Sequence, residues 1–251
     1  MAKIIAFIPA RFSSSRFPGK PLAPISGKPM IQHVYERAQT CLELDETYVA
    51  TDDQRIYACV EGFGGRAIMT VKNHPSGTDR IAEAAERLNL GPYDIVVNIQ
   101  GDQALFHPSI LTDLIRSLSK NSTIPMSTLM YEIQQDKEIQ DPNNVKVVVD
   151  ANGYALYFSR LPIPFVRDKD SRPHYYKHIG IYAYHNKFLL TFTKLACGKL
   201  EEIEKLEQLR ALEHGFKIKV IETRFDSTEV DVPEDIIEVE RQLAQSKSPG
   251  P

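Results

Sequence analysis

The sequence predicts an α/β protein, a mostly parallel sheet with helices on both faces, into which a β-rich segment is inserted. Three observations point there. Short β-branched runs alternate with stretches of helical period through the first half. After about Pro125 the rhythm changes to strand upon strand. The 251 residues are 42% hydrophobic and 25% charged, which suits one large domain that buries its core without disulfides or metals.

The elements follow in order. Residues 4–8, 47–51, 67–71 and 95–99 are apolar, rich in β-branched residues and bounded by turn formers, as buried strands are. Pro29 suits a first helical turn, and Met30, Val34, Ala38 and Cys41 then recur at helical spacing. Residues 54–60 make a second helix, stopped at Gly62, and residues 76–88 a third. Residues 126–133, 145–150, 154–159 and 179–184 are strand-like. A helix is expected over 200–214, a strand over 217–222, a last helix from Pro233, and a frayed polar tail from Ser246. The expected division is residues 1–125 and 186–246 as an α/β core, 126–185 as the β-rich segment and 247–251 as tail.

Composition narrows the function. A net charge of −3 opposes a nucleic-acid coat protein, which is usually basic. No run approaches the ~18 apolar residues of a membrane span, and the apolar N-terminus is cut off by Pro9. The expectation is a cytoplasmic protein without nucleic-acid or membrane partners. Cys41, Cys59 and Cys197 lack metal or disulfide spacing and read as small buried apolar residues.

The first strand runs into Pro9-Ala10-Arg11-Phe12-Ser13-Ser14-Ser15-Arg16-Phe17-Pro18-Gly19-Lys20-Pro21. Ligands of open α/β sheets bind beyond the carboxyl ends of the strands. Arg11, Arg16 and Lys20, with small residues between them, suit a polyphosphate; the competing reading is a solvated basic turn. A P-loop is excluded, because Ser14 stands where its first Gly belongs and Pro21 follows the Lys. The string from Gly62 to Ala67 matches a dinucleotide fingerprint but follows a helix and precedes a strand, so it reads as a helix stop.

Asp102 stands just past the buried run 95–99, and Asp231 precedes Pro233. Magnesium on a nucleotide takes one or two protein carboxylates with phosphate oxygens and water, which two Asp from distant segments suit. For Asp231, helix capping is the competing reading. Ser76-Gly77-Thr78-Asp79-Arg80 starts a helix, where Ser or Thr caps and Asp79 complements the dipole.

These pieces together resemble the sugar-nucleotide cytidylyltransferases, above all the CMP-Kdo synthetases. The likeness rests on the loop from Pro9 to Leu22 and on Gln100-Gly101-Asp102, Ser76–Arg80, the runs from Tyr154 to Arg160 and His178 to Tyr182, Leu206-Glu207-Gln208, and Asp231-Val232-Pro233-Glu234-Asp235, in that family's order. The resemblance implies a Rossmann-like nucleotidyltransferase sheet. It implies a reaction of CTP with an acidic sugar, 3-deoxy-manno-octulosonate (Kdo) or its 8-amino form, for lipopolysaccharide biosynthesis, with pyrophosphate released. It implies Mg2+ on Asp102 and Asp231, and a homodimer whose β-rich segment supplies a partner surface.

The resemblance also places residues. Arg11, Lys20 and Asp102 are the catalytic candidates. The nucleotide falls to Pro9, Ala10, Arg11, Ser13, Arg16, Lys20, Ser76, Gly77, Thr78 and Arg80. The sugar falls to Gln100, Arg160, His178, Tyr182, Glu207 and Gln208. On one continuous helix Glu207 would lie on an apolar face, needing either a ligand or a salt bridge with Lys177 or Arg210. His174 and His178, in an extended stretch, do not form a helical metal pair. One departure stands out: the family reads Glu-Pro where this chain has Gln103-Ala104. It leaves open another acidic sugar, or a silent nucleotide-binding regulator.

Overall fold

The computed structural model describes residues 2–13, 17–168 and 173–247. In chain order it places β1 (Ile4–Ala10), the two-residue strands β2 (Pro24–Ile25) and β3 (Lys28–Pro29), α1 (Met30–Gln39), β4 (Glu46–Thr51), α2 (Gln54–Gly62), β5 (Ala67–Met69), α3 (Gly77–Arg87) and β6 (Ile95–Asn98). Then come α4 (Ser109–Ser119), β7 (Met126–Glu132), α5 (Asp136–Gln140), β8 (Lys146–Val149), β9 (Ala155–Ser159) and β10 (Tyr176–His185). The chain ends with α6 (Asn186–Phe192), α7 (Lys199–Glu204), α8 (Leu209–Glu213), β11 (Ile218–Thr223) and α9 (Asp235–Lys247).

The central sheet runs β11-β7-β10-β6-β1-β4-β5. Its pairs are parallel except at β10, which is antiparallel to both β6 and β7. Alternation along β1 assigns the two faces. Ala6, Ile8 and Ala10 pack with Ile31 and Val34 of α1, Ile56 of α2 and Leu114 of α4. Ile5 and Phe7 pack with Ile81 of α3, Leu189 of α6 and Leu209 of α8. Both faces are covered, as a parallel sheet requires. A third cluster joins Ile25 and Met30 to Val239 and Leu243 of α9, with Ala104 and Val230 between.

The β-rich segment is not set apart from this sheet. Its strands β7 and β10 are inner members, and only the β8–β9 hairpin extends beyond it, bonded to β10 through Lys146 and Lys177.

Three departures from the sequence reading concern helices. The stretch 200–214 is two short helices, because Lys205 takes a left-handed conformation (φ 55°, ψ 44°) that ends α7. Helices α4, α5 and α6 were not anticipated. The last helix begins at Asp235 and continues to Lys247, beyond the expected fraying point at Ser246. Cys41 is buried, as expected, but Cys59 is half-buried and Cys197 is exposed.

Candidate active site

The loops after β1 and β6 and the start of α3 meet at the carboxyl edge of the sheet. Two glycines permit the approach: a Cβ on Gly101 would stand 3.1 Å from the Pro9 carbonyl oxygen, and one on Gly77 3.1 Å from Pro9 Cγ. Gly77 thus brings backbone against Pro9. The basic loop is shaped by Gly19 at φ 74°, whose amide donates to the Phe12 carbonyl at 2.9 Å. The Phe12 ring stacks under the Arg55 guanidinium, 3.3 Å from the ring centre.

These loops enclose a cavity of about 260 Å³. Pro9, Ala10, Arg11, Lys20, Ser76, Gly77, Arg80, Gln100, Asp102 and Asp231 all line it, so the structure brings these residues together from distant parts of the chain. Ser13 lies on the loop, exposed, outside the lining. Arg16 lies outside the described residues.

At the centre, Lys20 Nζ donates to Asp102 Oδ2 at 2.7 Å and to the Val230 carbonyl at 2.8 Å, with Asp231 Oδ1 at 3.9 Å. Two carboxylates from distant parts of the chain therefore face one cation. This all-oxygen donor set suits a hard divalent ion that completes its shell with phosphate and water. Asp235 Oδ2 accepts from the amides of Asp231 (2.7 Å) and Val232 (2.9 Å), which fixes the turn that carries Asp231.

On the opposite wall, Ser76 caps α3: its hydroxyl oxygen accepts from the Asp79 amide at 3.1 Å and its hydroxyl donates to Asp79 Oδ2 at 2.6 Å. Arg80 is buried and anchored by Thr70 Oγ1 (2.5 Å) and Asp52 (3.4 Å), with part of its surface toward the cavity. Thr78 is buried and donates to Glu207 Oε2 at 2.5 Å instead of lining the cavity.

Glu207 sits in the turn between α7 and α8, so the helix-face argument for it fails. Lys177 pairs with Glu138 and Asp226, and Arg210 pairs closely with Glu201, leaving Glu207 4.0 Å from Arg210. Burial raises the Glu207 carboxyl above its ordinary range, against the lowering effect of Thr78 and Ser76. Near it run Tyr182 and Tyr184, whose hydroxyls burial pushes well up. The Tyr182 ring contacts His178 (5.4 Å between centres), whose ring nitrogen lies 2.8 Å from Thr128 Oγ1. Burial lowers the His178 imidazole to about 3, so it is neutral in ordinary conditions.

Among the described residues several sealed polar atoms on this side have no hydrogen-bond partner: Asn98 Nδ2, Gln103 Oε1, Glu207 Oε1 and Gln208 Nε2. Buried polar groups are nearly always paired, so these atoms leave hydrogen-bonding capacity unused inside the protein. Arg160 is apart from it, its guanidinium spent on the carbonyls of Glu204 (2.8 Å) and Pro142 (2.9 Å). A second cavity of about 690 Å³ adjoins Asp231 and is lined by His178, Lys177 and Glu229 among others. Glu229 has no motif around it and was missed from sequence.

Residues 5–220 match the family described as cytidylyltransferase. The chain belongs to the cytidylyltransferase family. This cytidylyltransferase is 56% identical over 239 residues to the 3-deoxy-manno-octulosonate cytidylyltransferase of Syntrophus aciditrophicus, covering 95% of this chain and 96% of that one. It is also 56% identical over 244 residues to the 8-amino-3,8-dideoxy-manno-octulosonate cytidylyltransferase of Shewanella putrefaciens, covering 97% and 99%. A solved CMP:2-keto-3-deoxy-manno-octonic acid synthetase complexed with CTP superposes with a TM-score of 0.92 at 42% identity, over 98% of this chain and 100% of that one. No described helix of the cytidylyltransferase is long and apolar enough to cross a membrane.

Proposed function

We propose that the chain joins CTP to an eight-carbon 3-deoxy sugar acid, 3-deoxy-manno-octulosonate or its 8-amino form, and releases pyrophosphate. The observation that carries this reading is Lys20 held between Asp102 and Asp231 at the mouth of a polar cavity at the sheet's carboxyl edge. Full-length relatives named for this reaction support the choice of sugar.

In this reading Arg11 and Lys20 neutralise the triphosphate, and the start of α3 at Ser76 and Gly77 takes the base. Asp102 and Asp231 hold a divalent cation, Mg2+, which when bound offsets phosphate charge and lowers the pKa of the sugar's hydroxyl. The anomeric oxygen bonds to the α-phosphorus while the bond to the β-bridging oxygen breaks. Pyrophosphate leaves with that electron pair and the hydroxyl proton passes to solvent. Such in-line transfer depends on positioning and charge neutralisation more than on a covalent nucleophile.

Gln100, His178, Tyr182, Glu207 and Gln208 receive the sugar's hydroxyls, and of these Glu207 Oε1 and Gln208 Nε2 are buried without partners. Arg160 joins them only if it leaves the two carbonyls that now hold it. The chain works in the cytoplasm, in lipopolysaccharide biosynthesis, as a homodimer with residues 126–185 supplying sugar contacts and partner surface. Equilibrium sedimentation should then return twice the chain mass, and a chain-sized species would remove the dimer from this reading. The test of the function is pyrophosphate release from CTP in the presence of each sugar. Release with neither sugar overturns it.

A further inference from the structure

We infer that Glu229, held in place by Gln103, adds a third negative charge to the cation site of Asp102 and Asp231 and so strengthens its hold on the divalent ion. The inference rests on the proposed function, which assigns that ion to the two aspartates.

The segment that carries Asp231 is fastened to the segment that carries Asp102. The Val230 amide donates to the Asp102 carbonyl at 3.1 Å. Lys20 bridges the two from the side, donating to Asp102 Oδ2 at 2.7 Å and to the Val230 carbonyl at 2.8 Å. The neighbouring residues then meet, Gln103 Nε2 donating to Glu229 Oε1 at 2.9 Å. These contacts set residues 229–231 against 102–103. They leave Glu229 with Asp102, Asp231 and Lys20 as electrostatic neighbours.

Gln103 is fully buried, and its Oε1 is sealed without a hydrogen-bond partner among the described residues. An unpaired buried carbonyl is destabilising. The bond to Glu229 is the one hydrogen bond shown for this side chain. Gln103 is thus a positioning residue for Glu229. The departure at 103 then has a counterpart. Where the resembling family has Glu, this chain has an amide, and a carboxylate faces it from 229. A Glu at 103 would set two carboxylates against each other, whereas the amide donates to Glu229. The negative charge stays beside Asp102 but is carried by another segment.

Asp102, Asp231 and Lys20 together carry one net negative charge. Glu229 raises it to two, the match for a divalent ion. Among the described residues no three Asp, Glu, His or Cys side chains converge closely enough to hold one metal ion. Glu229 therefore acts through its field and not as a ligand. A field is screened by salt, which separates this role from one in shape alone.

The test measures the affinity for Mn2+, a stand-in for Mg2+, from the electron spin resonance of the unbound ion, on the nucleotide-free protein at pH 8. Glu229→Gln is nearly isosteric, lies at an exposed residue and keeps an oxygen for Gln103 to meet. It should weaken Mn2+ binding about fivefold at low salt, the scale of one partly screened charge acting on a divalent ion. The difference should fall below about twofold in ~0.5 M KCl, where charges are screened within about 4 Å. Gln103→Leu should weaken Mn2+ binding in the intact protein and add nothing in the Glu229→Gln protein, because it acts only by misplacing the carboxylate. Unchanged affinity in Glu229→Gln, or a loss that persists undiminished in high salt, overturns the inference. A Gln103→Leu effect that is absent, or equal in both proteins, overturns the part given to Gln103. Asp102→Asn is the control: if Mn2+ binding survives it intact, the ion lies elsewhere and the cation assignment of the proposed function fails instead.

Discussion

Lys20, Asp102 and Asp231 form the smallest unit that explains the site. The Lys20 ammonium is held by one carboxylate at 2.7 Å and one carbonyl at 2.8 Å, and a second carboxylate stands 3.9 Å away. Asp102→Asn keeps the shape and removes the charge. It should lower turnover by about 100-fold or more, the scale of losing a preorganised electrostatic contact in a transfer site, when measured at saturating Mg2+. Near-normal turnover would remove Asp102 from the chemistry.

His178 yields a pH prediction of its own. Thr128, Phe158 and Tyr182 surround the ring, and burial holds it near 3 against about 6.5 unfolded. The unfolded chain therefore binds the extra proton first. This residue subtracts nothing above pH 6.5 and subtracts increasingly as pH falls from 6.5 toward 3, by at most about 1.4 kcal/mol per pH unit. Urea denaturation at pH 7 and pH 4.5 should show a smaller acid loss for His178→Gln than for the intact protein; equal losses would contradict it. Most of these residues were legible because they sit in short strings of recognisable chemistry. Glu229 was not, because a lone Glu between Thr228 and Val230 says nothing until Gln103, 126 residues away, is seen to donate to it.

At the scale of elements, α3 connects stability to the site. Ser76 is both its N-cap and a wall of the nucleotide cavity. Ser76→Ala should cost about 1 kcal/mol in urea or thermal unfolding, and should also weaken CTP binding. An unchanged midpoint would show that Asp79 or water satisfies the amide instead. The helix was readable from its start signal and apolar period. Helix α4 carries as clear a signal, with Ile110, Leu111, Leu114, Ile115 and Leu118 all buried. The break at Lys205 is different in kind. A lysine in a left-handed conformation leaves no mark in the sequence, since position-specific φ is set by the packing of α7 and α8 through Arg210 and Glu201. That break is what moves Glu207 off a helix face and into reach of Thr78.

At the scale of the whole molecule, the sheet order decides where chemistry can happen. Parallel strands β1, β4, β5 and β6 send their carboxyl ends to one edge, and the ligand loops gather there. Antiparallel β10 lies beside β6 and brings His178, Gly180 and Tyr182 toward that same edge. The change of rhythm after Pro125 was visible in the sequence, but the placement of β7 and β10 inside the sheet was not. Strand patterns specify burial and alternation, whereas neighbour choice is settled by contacts far apart in the chain. The fold thus brings a nucleotide cavity and a larger acidic cavity together at Asp231.

The central claim is that this junction joins CTP to an octulosonic acid. Pyrophosphate release from CTP and Mg2+, with 3-deoxy-manno-octulosonate and its 8-amino form supplied separately, tests it most directly. The account predicts release that depends on the added sugar and is abolished by Asp102→Asn. Absence of release with both sugars, or release that does not depend on either, would contradict it.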